Sequence, residues 1–249
     1  MRIEGKVALV TGGTKGIGAA TAITLARQGA DLAIVGRHDD DEARRTKRAI
    51  EALGRRCIMV TADVGRPDQA TGCVEETVRQ LGSVDVLVHS AGGWVPGGLL
   101  EVSPDAWMEG FNVHVHAIYH LCRAAIPRMR AKKEGAIVLI SSVAGIRGVP
   151  TAPTYQVVKG AVVQFTRALA REFADDNIRV NAVAPGIIRT AFHGHMTAEQ
   201  KQNNLDNRVP LHREGTPAQV AELIGQLVSN DYMTGETVTI DGGLTMRIA

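Results

Sequence analysis

Short apolar runs alternate with amphipathic stretches from one end of the chain to the other. Seven runs carry the β-branched and aliphatic side chains that a strand covered on both faces requires: Val7–Val10, Asp31–Val35, Cys57–Thr61, Val84–His89, Ala136–Ser141, Arg179–Ala184 and Val238–Ile240. Between them, helical periodicity predicts helices near 17–28, 40–53, 68–81, 103–131, 154–175 and 217–229. Pro67, Pro104, Pro153 and Pro217 stand at or just before first turns, where a missing N–H costs nothing. Pro127 falls inside the fourth and is expected to kink or shorten it. This regular exchange predicts an α/β, doubly wound parallel sheet of about seven strands with helices on both faces.

At 249 residues, with no repeat and no Pro/Ser-rich linker, the chain reads as one domain over 1–249. The least regular stretches, 92–102, 143–153 and 187–215, follow strand ends. There a doubly wound sheet binds its ligands, and 187–215 is expected to form a mobile substrate loop. Lys and Arg exceed Asp and Glu by 28 to 26 and are interspersed with them. No basic footprint for nucleic acid or an anionic membrane follows, so a small-molecule partner is expected. Cys57, Cys73 and Cys122 are odd in number and widely spaced, as free thiols of a reducing compartment are, and a cytoplasmic setting is expected. No apolar run reaches membrane-spanning length, and the start of the chain lacks a signal-like run.

Two motifs carry chemistry. The first strand runs directly into Thr11-Gly-Gly-Thr-Lys-Gly-Ile-Gly18 and then a helix. Glycines at such a turn let a pyrophosphate approach main-chain N–H groups at a helix N-terminus. Far downstream, Tyr155 and Lys159 are four apart on a predicted helix and therefore share a face. A free phenol has a pKa of about 10; a cation about 5 Å away at an effective dielectric of about 20 contributes roughly 3 kcal/mol, or about two units of acidity. Tyr155 is then expected to serve as an acid towards a carbonyl and as a base towards an alcohol.

Taken together, the Thr-Gly-x-x-x-Gly-x-Gly turn at 11–18, Tyr-x-x-x-Lys at 155–159, Asn181-Ala-Val-Ala-Pro-Gly186 and Asp241-Gly-Gly243 resemble the short-chain dehydrogenase/reductase family over almost the whole chain. That resemblance implies a Rossmann-like fold and a dinucleotide held by Gly12, Thr14, Lys15, Gly16, Ile17 and Gly18, with Asp63 and Val64 at the adenine and Ala91 and Gly92 near its ribose. Tyr155 and Lys159 would also touch the cofactor, and Pro185, Gly186, Ile188 and Thr190 would hold the nicotinamide end. It assigns catalysis to Ser142, Tyr155 and Lys159. Asp63 equally suits a turn cap. NAD-preferring relatives tend to carry a carboxylate at the position of Gly36. Here it is absent, while Arg37 and Lys15 can pair with a 2′-phosphate, so NADP(H) is favoured and NAD(H) is the alternative.

Departures from the family pattern are informative. The usual Asn-Asn-Ala-Gly reads His89-Ser90-Ala91-Gly92, and the relay Asn of the family is replaced by His114, with Asn112 nearby but out of place. His114 is expected to take over the relay and to add a pH sensitivity near neutrality. His116 with His120, and His193 with His195, are close pairs, but they lack the third ligand of a metal site, so no metal is expected. The resemblance leads towards 3-oxoacyl-thioester reduction, with Arg147 or Arg189 meeting an anionic carrier. A sugar or polyol dehydrogenase, and a dinucleotide-binding sensor without turnover, are the alternatives. Trp94, Ile146, Phe192 and Met196 are candidate pocket walls. A homotetramer is expected from the family.

Overall fold

The computed structural model describes residues 1–194 and 196–246. Its centre is a seven-stranded parallel sheet in the order β3-β2-β1-β4-β5-β6-β7. The strands are β1 (Val7–Thr11), β2 (Asp31–Gly36), β3 (Cys57–Thr61), β4 (Val86–His89), β5 (Gly135–Ile140), β6 (Ile178–Pro185) and β7 (Thr237–Ile240). All seven lie within one or two residues of the expected runs. Strand alternation splits the core in two: Val7 and Leu9 join an apolar cluster on one face, Ala8 and Val10 a second cluster on the other.

Helices α1 (Gly16–Arg27), α2 (Asp41–Glu51), α3 (Pro67–Leu81), α4 (Pro104–Phe111), α5 (Ala117–Lys132), α6 (Pro153–Phe173), α7 (Ala198–Asn203) and α8 (Pro217–Ser229) cover the sheet and its loops. On β6, Arg179 reaches the carboxyl end of α8, donating to the carbonyls of Leu227 (2.7 Å) and Val228 (2.5 Å) and satisfying acceptors that the helix end leaves open.

Three expectations need correction or refinement. The stretch 103–131 is helical as expected, but not α-helical throughout: a π turn over Asn112–His116 joins α4 to α5, with His114 buried and His116 exposed. Pro127 does not shorten α5, which continues to Lys132. The proline is exposed, and the helix is held down by buried Ile126 and Met129 on either side of it. The stretch 187–215 contains regular structure, because Thr197 and Gln200 form a reciprocal capping box that starts α7. The close pair His193 and His195 lies outside the described side chains.

Candidate active site

The order of strands reverses between β1 and β4, and a cleft of about 1280 Å³ opens there along the carboxyl edge of the sheet. Its walls come from the segments following β1 to β6, and every residue singled out from the sequence for cofactor binding or catalysis lines it.

Close packing explains the glycine turn. A Cβ on Gly12 would lie 2.9 Å from the backbone of Ala91, and one on Gly18 would lie 2.1 Å from the carbonyl oxygen of Gly12. The turn can therefore fold against the β4 segment and the start of α1 only without side chains. No side chain caps α1, and its first turn has no carboxylate, so its N-terminus suits an anion. Thr14 is buried and its carbonyl accepts from the hydroxyl of Thr46 at 3.0 Å, tying the turn to α2. Gly36 has a packing reason as well, since a Cβ there would meet the Thr14 side chain at 2.7 Å. Arg37 is exposed at the cleft wall and makes no hydrogen bond or ion pair among the described residues, whereas Lys15 has Glu42 4.0 Å away. His38 and Arg66 also line this part. The sequence reading passed over them, although their places after β2 and β3 were the available signal.

Asp63 fulfils the turn role, accepting from the N–H of Gly65 at 2.9 Å, and still faces the cleft with Val64. Ala91 and Gly92 approach from β4, and Pro185, Gly186, Ile188 and Thr190 from β6. Asn181 is structural: it bonds the carbonyl of Met233 and the N–H of Glu236, aligning the approach to β7. Asp241 caps its own turn through the N–H groups of Gly243 and Thr245.

Ser142, Tyr155 and Lys159 converge where β5 ends against α6. The two serines divide their tasks as strand alternation requires. Ser141 donates to the carbonyl of Lys159 at 2.8 Å, whereas Ser142 lines the cleft with Tyr155 and its hydroxyl accepts from the N–H of Ala144 at 3.1 Å. The ammonium of Lys159 lies 5.6 Å from the centre of the Tyr155 ring and donates to the carbonyl of Ile140 at 2.8 Å. The acidified phenol expected from the spacing is not present in this state. Burial pushes Tyr155 up to about 12, with Ser142 pulling the other way, and burial lowers Lys159 to about 7. Desolvation thus outweighs the mutual attraction that sequence spacing alone suggested.

The two unusual histidines behave differently. His89 is fully satisfied: Nε2–H donates to the carbonyl of Val113 at 3.0 Å, and Nδ1 accepts from the hydroxyl of Thr11 at 2.8 Å. Thr11 in turn accepts from the N–H of Ala91 at 3.2 Å, so His89 ties β1, β4 and the π turn together. Burial lowers its pKa to about 4. His114 donates from Nε2 to the carbonyl of Gly93 at 3.0 Å, while its buried Nδ1 has no partner. Its ring stands edge-on to Tyr155 at 5.9 Å and occupies the space that a Cβ on Gly92 would need, with Cε1 2.1 Å from that position. Burial first, then Lys159, holds its pKa well below the usual value. The pH sensitivity expected near neutrality is therefore not supported, because the imidazole is neutral there.

Trp94, Phe192 and Met196 line the cleft as expected, but Ile146 does not; it follows the short turn Val143–Gly145, and Val149 lines the wall instead. Arg147 points along the surface to the carbonyl of Ile146, and Arg189 is paired with Glu214 at 3.3 Å. His116 bonds the side chain of Asn112 at 2.9 Å. No group of three or more His, Cys, Asp or Glu side chains among the described residues is placed to hold a metal, and no described helix is long and apolar enough to cross a membrane.

Comparison with known proteins agrees with this geometry. A family profile described as enoyl-(acyl carrier protein) reductase matches residues 12–245. The chain is 36% identical to a 3-oxoacyl-(acyl-carrier-protein) reductase of Thermotoga maritima, over 99% of this chain and 100% of that one. It is also 36% identical to an uncharacterized oxidoreductase of Bacillus subtilis, over 97% of this chain and 84% of the relative. The crystal structure of a short-chain type dehydrogenase/reductase from Mycobacterium marinum superposes with a TM-score of 0.92 at 31% identity, covering 98% of this chain and 97% of that one. With its motifs gathered at one cleft and its full length matched, the chain belongs to the short-chain dehydrogenase/reductase family and is an oxidoreductase acting on CH–OH and carbonyl groups.

Proposed function

We propose that the chain catalyses reversible, NADP(H)-dependent hydride transfer between nicotinamide and a carbonyl or alcohol substrate. The observation that carries this reading is the meeting of Ser142, Tyr155 and Lys159 in the same cleft as the bare-backbone turn Gly12–Gly18. The residues present suit a dinucleotide. The glycine turn Gly12–Gly18 presents bare backbone to the cleft, the uncapped start of α1 favours phosphate, and Arg37 has its guanidinium available for a 2′-phosphate. When bound, the nicotinamide supplies or accepts the hydride.

The side chains manage the proton and the substrate oxygen. Tyr155 gives its hydroxyl proton to the carbonyl oxygen in reduction and takes a proton from the alcohol in oxidation. Ser142, which lines the cleft with that phenol, orients the same oxygen. Lys159, anchored on the carbonyl of Ile140, has further N–H donors for the dinucleotide and, when charged, favours the phenolate. His114, neutral and with Nδ1 unpartnered, keeps an acceptor free in the family Asn's place and would serve as the relay member there.

The retained three groups favour turnover over a silent sensor. Tyr155→Phe is expected to lower kcat on the best carbonyl by about 10²–10⁴-fold while leaving NADPH binding, followed by its fluorescence, within a few-fold. Wild-type turnover by that variant would overturn the reading. Arg37→Ala is expected to weaken NADPH binding about tenfold or more and NADH binding much less. Equal losses for the two would assign Arg37 to the solvated surface.

A further inference from the structure

Beside the proton-donating phenol lies a small apolar cluster that belongs to neither core. Tyr155, Ala144 and Ala152 are buried in it, with Trp94, Val149 and Phe192 packed around them. The Trp94 ring centre is 5.0 Å from that of Tyr155, tilted by 48°, and Phe192 is 5.9 Å from Tyr155 at 45°. Trp94 and Phe192 meet each other edge to face at 6.3 Å and 88°. They come from separate segments, after β4 and after β6, and both line the cleft. Tyr155 is left only 7% exposed.

Given Tyr155 as proton donor, a carbonyl bound at the phenol lies beside these rings. We propose that Trp94 and Phe192 form an aromatic clamp that selects flat, apolar, cyclic carbonyl compounds, namely aryl and alicyclic ketones and the corresponding alcohols. The inference rests on the redox reading above and narrows its substrate class. A ring that enters replaces the ring contacts it displaces, whereas a linear chain leaves them broken. Sugar and polyol hydroxyls would be buried against Trp94, Val149, Phe192, Ala144 and Ala152, whose side chains offer one polar atom, the indole N–H, and no acceptor. The cations first considered for an anionic carrier lie exposed at the surface, Arg189 beside Glu214 and Arg147 against the carbonyl of Ile146.

The test is steady-state reduction by NADPH of three probes: tetralone as the fused-ring ketone, acetoacetyl-coenzyme A as the linear 3-oxoacyl thioester, and xylulose as the sugar. The wild-type kcat/KM for tetralone should exceed the other two by about tenfold or more, the scale on which an apolar pocket discriminates. Trp94→Ala and Phe192→Ala should lower the tetralone value, mainly through KM, at least about tenfold more than the thioester value, and Trp94→Phe should restore most of it. Trp94 and Trp107 are the two tryptophans, so in a Trp107→Phe background tetralol should quench the fluorescence of Trp94 saturably. That readout needs no turnover. Preference for the thioester or the sugar, or equal losses on all probes in the alanine variants, would overturn the clamp and leave the hydride-transfer reading standing. A wild-type protein that binds NADPH and reduces none of the probes would overturn both.

Discussion

His89 and His114 are equally buried, yet only His89 has a partner for both ring nitrogens. That difference separates a structural tie from a ring that stands edge-on to Tyr155 with one acceptor unused. Both are held neutral because burial penalises the imidazolium, and for His114 the nearby Lys159 adds to the penalty. Proton magnetic resonance of the ligand-free protein should therefore show no titration of the His114 ring between about pH 6.5 and pH 8, since its pKa is lowered from the ordinary value of 6.5. His114→Asn should leave the shape of the pH–rate profile unchanged over the same range. A titration in that window would show that the site admits a charge that burial is argued to exclude. The substitution was plain in the sequence at His114, but its charge state was not, since desolvation depends on neighbours that lie far away in the chain.

At the level of elements, the placement of Ser142 relative to Tyr155 and Lys159 depends on how the turn Val143–Gly145 sits on α6. Ser141 bonds the carbonyl of Lys159, Lys159 bonds the carbonyl of Ile140, and Gly145 packs so closely that a Cβ would stand 2.6 Å from the Lys159 carbonyl carbon and oxygen. Gly145→Ala must push the serine-bearing turn away from the helix that carries Tyr155 and Lys159. The expected loss is about 10²-fold in kcat/KM, the effect of misplacing reacting groups by about 1 Å, with NADPH affinity changed only a few-fold. Unaltered kinetics would show that the turn and the helix are not coupled. The glycine was visible in Val143-Ala-Gly145, but its need became legible only with the helix in place against it. The π turn inside the helix expected over 103–131 was not legible either. Nothing in the periodicity of Trp107–Tyr119 demands it, whereas in the fold it carries the buried His114 ring that packs against Gly92. By contrast, α7 was legible in Thr197-Ala-Glu-Gln200, whose first and last residues form the capping box that starts it.

For the molecule as a whole, buried titratable groups tie stability to pH. Lys159 has a pKa of about 7 in the folded protein against an ordinary value of 10.5, so above pH 7 the unfolded chain binds more protons and stability rises with pH. His89 has a folded value of about 4 against 6.5, so stability is lost as pH falls from 6.5 towards 4, and His114 acts in the same direction. Denaturant midpoints of the ligand-free protein should increase from about pH 4.5 through about 6.5 to about 8.5, each buried group contributing at most about 1.4 kcal/mol per pH unit. Lys159→Met should flatten the upper part of that rise and His89→Asn the lower part. If Lys159→Met leaves the upper slope intact, the lysine is hydrated in solution and the burial argument fails.

What the sequence by itself determined is whatever repeats or acts over short range. The order of strands and helices, the two-residue alternation that splits the core, the bare turn Gly12–Gly18 and the shared face of Tyr155 and Lys159 all depend on local geometry and hydrophobic period. The tertiary structure alone decided how strongly those groups are dried, which ring nitrogen is left open, and that Trp94 and Phe192 close on Tyr155. Each of these depends on segments brought together across the carboxyl edge of the sheet, where burial outweighs the pairwise attractions that spacing along the chain can suggest.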